Sequence, residues 1–137
     1  MMDWSWWVLL AIPAAWFIQN CVHETSHLIV GYIHEGRKPL GMYPYPHKHN
    51  NKWYFARCRM GPATIKRSGP YLPRYIAPFY AGLIVSSISF LIMSFLPQLH
   101  KIFALPSAIC GLVDAFWFWR GYIWGPDRTD GRKWKNK

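Results

Sequence analysis

The chain has 137 residues, enough for one domain and little more. Hydrophobic residues make up 52% of it and aromatic residues 18%, and 16 Lys and Arg face 6 acids for a net charge of +10. The apolar residues gather into runs, while nine basic residues lie between Arg37 and Arg74 and five more between Arg128 and Lys137. That segregation argues against a nucleic-acid partner and for an integral membrane protein whose loops carry the charge.

The first apolar run covers residues 4–33. As a helix it reaches roughly 45 Å, more than the ~30 Å hydrocarbon core needs. It must tilt, bend at Pro13 or project beyond the bilayer, and Gly36 is placed to cap it. The opening MMDWSWW has no basic leader and no clean small-residue cleavage site follows, so the run is read as a retained span. Residues 34–74 are a basic loop. Within it, PLGMYPYPHKHNNKWYFARCRMG has two β-prone pieces around Asn50-Asn51, which predicts a small hairpin or a membrane-surface loop. Its flanks offer an edge to which an extended peptide can add a strand. His47 and His49 share a face there and read as a solvated turn.

The second run, 75–96, is closed by Pro97 and a very short turn. The third, 102–124, has Pro106 near its start and ends at Gly125-Pro126, before a basic tail, 125–137. Trp117, Trp119, Tyr122 and Trp124 form an interfacial belt at its end, with Arg120 reaching the head groups. The expected fold is an all-α membrane protein, one integral domain of three transmembrane helices with a β-hairpin-like loop between helices 1 and 2. The positive-inside rule puts the loop and tail in the cytoplasm, the N-terminus outside, and the chain in the cell membrane as a multi-pass protein. Cys21, Cys58 and Cys110 are odd in number and lack zinc-cluster spacing, so they are read as reduced thiols.

The chemistry lies in His23-Glu24-Thr25-Ser26-His27. Residues four apart share a helix face, so His23 and His27 can hold one ion while Glu24 leans toward the open position. This is the HExxH pattern of zinc hydrolases, in which the glutamate is the general base for a metal-activated water. Asn20 is close enough to orient a ligand or substrate. An ionisable cluster within a span is costly and defaults to a functional hypothesis. A catalytic zinc takes a third protein ligand. Val30 and Ile33 stand where a metzincin extension needs Gly and His, and His34 is too far along the axis. Of the six acids, only Glu24 and Asp114 fall inside apolar runs. In the three-span topology Asp114 and the histidines sit at similar depths, roughly 9–15 Å from the cytoplasmic ends. Asp114 is therefore the expected third ligand.

These residues, with the middle span's Ala77-Pro78-Phe79-Tyr80-Ala81-Gly82 and the hairpin-like loop, resemble the site-2 protease family of intramembrane zinc metalloproteases. The likeness covers most of the chain as a layout, and only the HETSH pentapeptide is specific. It implies a membrane-embedded zinc metallopeptidase that cuts membrane-associated protein or peptide substrates, with Glu24 catalytic. The family often has Gly where this chain has Ser26. It also sets its aspartate in an NxxPxxxxDG-like context, which here points to Asp130, followed by Gly131 after Pro126, as the alternative third ligand. Asp130 can reach the ion only if the tail folds back. Two rival readings stand beside the peptidase: a non-enzymatic metal-binding adaptor or regulator with a degenerate protease core, and a basic peripheral protein.

Overall fold

The computed structural model describes residues 4–66, 71–96, 100–125 and 129–136. They form a mostly helical protein with a small antiparallel hairpin after the first helix. Helix α1 runs over Trp4–Glu35, strands β1 to β4 over Pro39–Tyr43, His47–His49, Lys52–Tyr54 and Arg57–Met60, and helices α2, α3 and α4 over Pro73–Phe95, His100–Trp124 and Asp130–Asn136.

Helix α1 passes through Pro13 without a break and extends two residues beyond its expected end. Gly36 then caps it in the left-handed region, at φ +65°. Its N–H donates to the Tyr32 carbonyl at 3.0 Å, and the Arg37 N–H donates to the Gly31 carbonyl at 3.2 Å. The hairpin turns at Asn50-Asn51, both with positive φ, the geometry of a tight two-residue turn that asparagine tolerates. β2 pairs with β3 beside this turn, and β1 pairs with β4 further out. Residues alternate between faces along β4. Cys58 and Met60 turn to α1, and Arg57 and Arg59 turn away.

Where α2 meets α3 the backbones nearly touch. A Cβ on Gly82 would lie 2.7 Å from the Gly111 carbonyl oxygen, and the Ser86 hydroxyl donates to the Ala108 carbonyl at 2.8 Å. Small residues and hydroxyls at a helix contact let dispersion and local hydrogen bonds do the holding. The interior as a whole is built this way. Its buried residues include Ala11, Ala15, Ala108, Ala115, Ser86, Ser89, Gln19, Asn20 and Glu24, while Leu9, Leu10, Phe17, Ile84, Leu91, Phe116 and Trp124 are exposed.

The sequence reading needs correction at two places. Among the described residues, α2 is the one helix long and apolar enough to cross a membrane. α1 and α3 have the length to cross. The basic tail, read without a secondary-structure element of its own, contains α4. Pro97 and Pro126, expected to close two of the runs, lie outside the described residues.

Helix α4 folds back on α3 because glycines let it approach. A Cβ on Gly131 would collide with the Phe118 carbonyl oxygen and come within 2.5 Å of the Tyr122 nitrogen. Trp134 wedges among aromatic rings, with centroids 4.7 Å from Tyr71 and 5.8 Å from both Phe118 and Tyr122. Its carbonyl accepts the Tyr71 N–H at 2.7 Å. Arg132 donates to the carbonyls of Gly125 and Ile123 at 3.2 and 3.3 Å, satisfying groups that the end of α3 leaves open.

Candidate metal centre

Helix α1 presents His23 and His27 one turn apart, their ring centroids 5.1 Å from each other. The first turn of α4 brings Asp130 between them. Asp130 Oδ2 lies 2.9 Å from His23 Nε2 and 3.1 Å from His27 Nε2. One ligand atom from each of the three residues falls within 4.8 Å of the other two. Ligands about 2.0–2.1 Å from a tetrahedral zinc are separated by roughly 3.3 Å, so small adjustments turn this cluster into a coordination shell.

The far side of each imidazole fixes its tautomer. His23 Nδ1 lies 2.8 Å from Asp114 Oδ2 and 2.9 Å from Oδ1. His27 Nδ1 lies 2.6 Å from the Arg74 carbonyl. Both partners are acceptors, so each Nδ1 carries a proton and Nε2 is the nitrogen each ring offers to the cluster. Metal-binding histidines are held in this way, with a carboxylate or carbonyl behind the ring. Asp114 is itself steadied by Gln19, whose amide donates at 2.9 Å and which is 2% exposed.

Depth along the helix brings Asp114 to His23 at Nδ1, whereas Asp130 meets Nε2 of both histidines because the tail folds back. Nor does either acid pair with Arg120, whose guanidinium lies 4.7 Å from the Trp117 ring centroid. Burial alone pushes the Asp130 carboxyl up, but charge on His27 and Nε2–H bonds from His23 and His27 hold it well below the usual carboxylate range. A metal cation at this point would take the place of those protons.

Glu24 is buried beside this cluster, 5% exposed, with Oε1 3.9 Å from His23 Nε2. The Cys58 thiol reaches in from β4 within range of its charge. Burial and then the Glu24 charge push that thiol up, so it stays protonated. Ser26, where the resembled family often has glycine, turns its hydroxyl back to the His23 carbonyl at 2.6 Å. Asn20 donates to the Pro44 carbonyl at 3.3 Å and ties the hairpin to α1. His34 stands outside the cluster, and His47 and His49 line a separate pocket on the hairpin.

A buried ion-pair network braces the site from below. Glu35, 1% exposed, lies 2.7 Å from Arg74 Nε and 3.1 Å from Arg37 Nε. Arg74 thus anchors the start of α2 to the end of α1, while its carbonyl orients His27. Sequence reasoning missed four of these supports. Gln19 and Glu35 were visible as polar residues close to HETSH, and Cys58 as a thiol in a hairpin. The Arg74 carbonyl leaves no mark in the sequence.

Comparison with protein-family models, with curated proteins and with solved structures finds no match. The functional reading rests on the geometry.

Proposed function

We propose that this chain is a membrane-embedded zinc metallopeptidase of the site-2 protease type, acting on membrane-associated proteins or peptides. The observation that carries the proposal is the meeting of His23 Nε2, His27 Nε2 and Asp130 Oδ2 beside the carboxylate of Glu24. Two neutral imidazoles and a carboxylate suit zinc better than a hard cation, which would prefer oxygen ligands alone. Three protein ligands leave one coordination position open, as catalytic sites do. Zinc held there supplies Lewis acidity to a water molecule and to the scissile carbonyl.

The chain's own residues do the rest. Glu24 accepts the proton from the attacking water and returns it to the departing amine. Asp114 and the Arg74 carbonyl hold the two imidazoles in the tautomer that keeps Nε2 unprotonated.

The inverted distribution of side chains supports a bilayer setting. A soluble protein buries its large aliphatic and aromatic residues; this one exposes them along α1, α2 and α3 and buries Ala, Ser, Gln and Asn. At 1.5 Å per residue the three helices are about 35–48 Å long, enough to span ~30 Å of hydrocarbon. On this reading all three cross, with the N-terminus outside. The metal centre opens toward the cytoplasmic side, where the basic loop and tail lie.

The test pairs zinc content with hydrolysis of fluorescein-labelled casein by detergent-purified protein. Wild type is expected to cleave, and 1,10-phenanthroline to stop it. Glu24→Gln should keep its zinc and lose cleavage. Equal cleavage by Glu24→Gln with its metal retained sinks the mechanism. Zinc binding without Glu24-dependent cleavage of any probe would make the chain a metal-binding regulator instead.

A further inference from the structure

The hairpin carries a second constellation, on the face turned away from the metal centre. Tyr43, Tyr45, His47, His49, Arg57 and Arg59 line an open cavity of about 550 Å³. The strand alternation that sends Cys58 and Met60 toward α1 sends Arg57 and Arg59 outward together. Tyr43, paired with Arg57 across the ladder, offers its ring 5.9 Å from that guanidinium. His47 and His49 join them from β2.

Two features indicate that this cavity takes an anion. Between Glu35 and Asp114 the sequence has no acidic residue. Among the described residues, neither Arg57 nor Arg59 forms an ion pair with a carboxylate. His47 shapes the cavity wall: its Nδ1 donates to the Tyr45 carbonyl at 2.8 Å and its ring stacks on Tyr54 at 6.1 Å. Lost hydration, then the positive charges of Arg57, His47 and Arg59, hold His49 below the ordinary imidazole value. That is the mark of a field awaiting a counter-charge.

We infer that this face of the hairpin binds the phosphate group of an anionic phospholipid. Paired guanidiniums suit phosphate oxygens, and tyrosine hydroxyls add donors. The surroundings identify lipid as the source of the phosphate. On the same hairpin Trp53 is 66% exposed and Phe55 72% exposed, with Trp53 opposite Lys48 in the ladder. Bulky rings beside basic groups suit the head-group level of a bilayer. The choice of lipid rests on the membrane reading above, whereas the phosphate pocket does not.

The test is native mass spectrometry of the full chain in maltoside micelles, titrated with phosphatidylglycerol or phosphatidylcholine, with inorganic phosphate in a parallel arm. Wild type should retain phosphatidylglycerol over phosphatidylcholine. The double variant Arg57→Gln/Arg59→Gln should lose that preference on the order of thirtyfold. Because these side chains face away from Cys58 and Glu24, its zinc content should not change, which serves as the folding control. A charge-matched variant, Lys38→Gln/Lys66→Gln, should keep the preference. An equal loss in that control would overturn the site, since diffuse charge would then explain the binding. Inorganic phosphate that displaces the lipid at equal concentration would overturn lipid as the source. If the protein proves soluble without detergent, the membrane reading fails separately, and the phosphate arm still judges the pocket through Arg57→Gln/Arg59→Gln.

Discussion

Gly131→Ala probes how the metal centre is assembled without touching a ligand. The added Cβ would collide with the Phe118 carbonyl and lie 2.5 Å from the Tyr122 nitrogen. Both are backbone atoms of α3, which cannot turn aside as a side chain can. Restoring ordinary contact moves the start of α4 by about 1 Å, whereas metal–ligand distances tolerate about 0.2 Å. The displaced segment carries Asp130, so the site falls back toward two histidines. Zinc affinity should drop by at least the hundredfold that marks the upper range for losing a supporting group. Overpacking itself should cost about 1–3 kcal/mol, leaving the helices folded. The assay is a competitive chelator titration in detergent, with circular dichroism to verify the fold. Gly41→Ala is the control, because its nearest neighbour outside the adjacent residues, the Tyr43 hydroxyl, lies 4.0 Å away. Affinity unchanged in Gly131→Ala would refute the claim that close docking of α4 delivers the third ligand.

Other outcomes follow from the same contacts. Asp114→Asn should keep zinc stoichiometry but weaken affinity roughly 10–100-fold, as expected for a group behind a ligand; complete loss of zinc would make Asp114 a direct ligand. Trp134→Ala removes ring contacts worth about 2 kcal/mol together and should speed trypsin cleavage at Arg132 and Lys133 about thirtyfold through tail opening; an unchanged rate would mean the wedge does not hold α4. In a Cys21→Ser background, Cys58 should react slowly with iodoacetamide at pH 8, because burial and then the Glu24 charge disfavour its thiolate. Glu24→Gln removes that charge and should speed labelling roughly fivefold or more; no change would separate the two residues. Phosphate binding at the hairpin should strengthen as pH falls through the titration of His49. That group is held below its ordinary value beside Arg57, His47 and Arg59, with Lys52 opposite it in the ladder, and gains its charge only on acidification. Binding that weakens on acidification would contradict this.

Local signals made half of this site legible. HETSH on a continuous helix fixes His23, Glu24 and His27 to one region by periodicity alone. The Asn50-Asn51 turn and the Gly36 cap are backbone preferences that act within a few residues, and both stand where the sequence placed them. The depth argument brought Asp114 to the right height. Height does not say which imidazole nitrogen a carboxylate meets, and that is decided by the rotation of α3 and by Gln19. Asp130 was ambiguous because α4 is seven residues long, basic and without apolar periodicity. Its docking depends on Gly131 and Trp134, whose meaning is tertiary: a glycine signals close approach only once the surface it approaches is known. Three spans were read from apolar runs, and among the described residues α2 is the helix that carries the plain hydropathic signature.

The central claim is that zinc is held by His23, His27 and Asp130. It is tested most directly by elemental analysis of detergent-purified wild type, His27→Ala, Asp130→Asn and Asp114→Asn prepared side by side. The account predicts about one zinc per chain in wild type and Asp114→Asn, and none in His27→Ala or Asp130→Asn. A full complement of zinc in Asp130→Asn, or none in wild type, would contradict it.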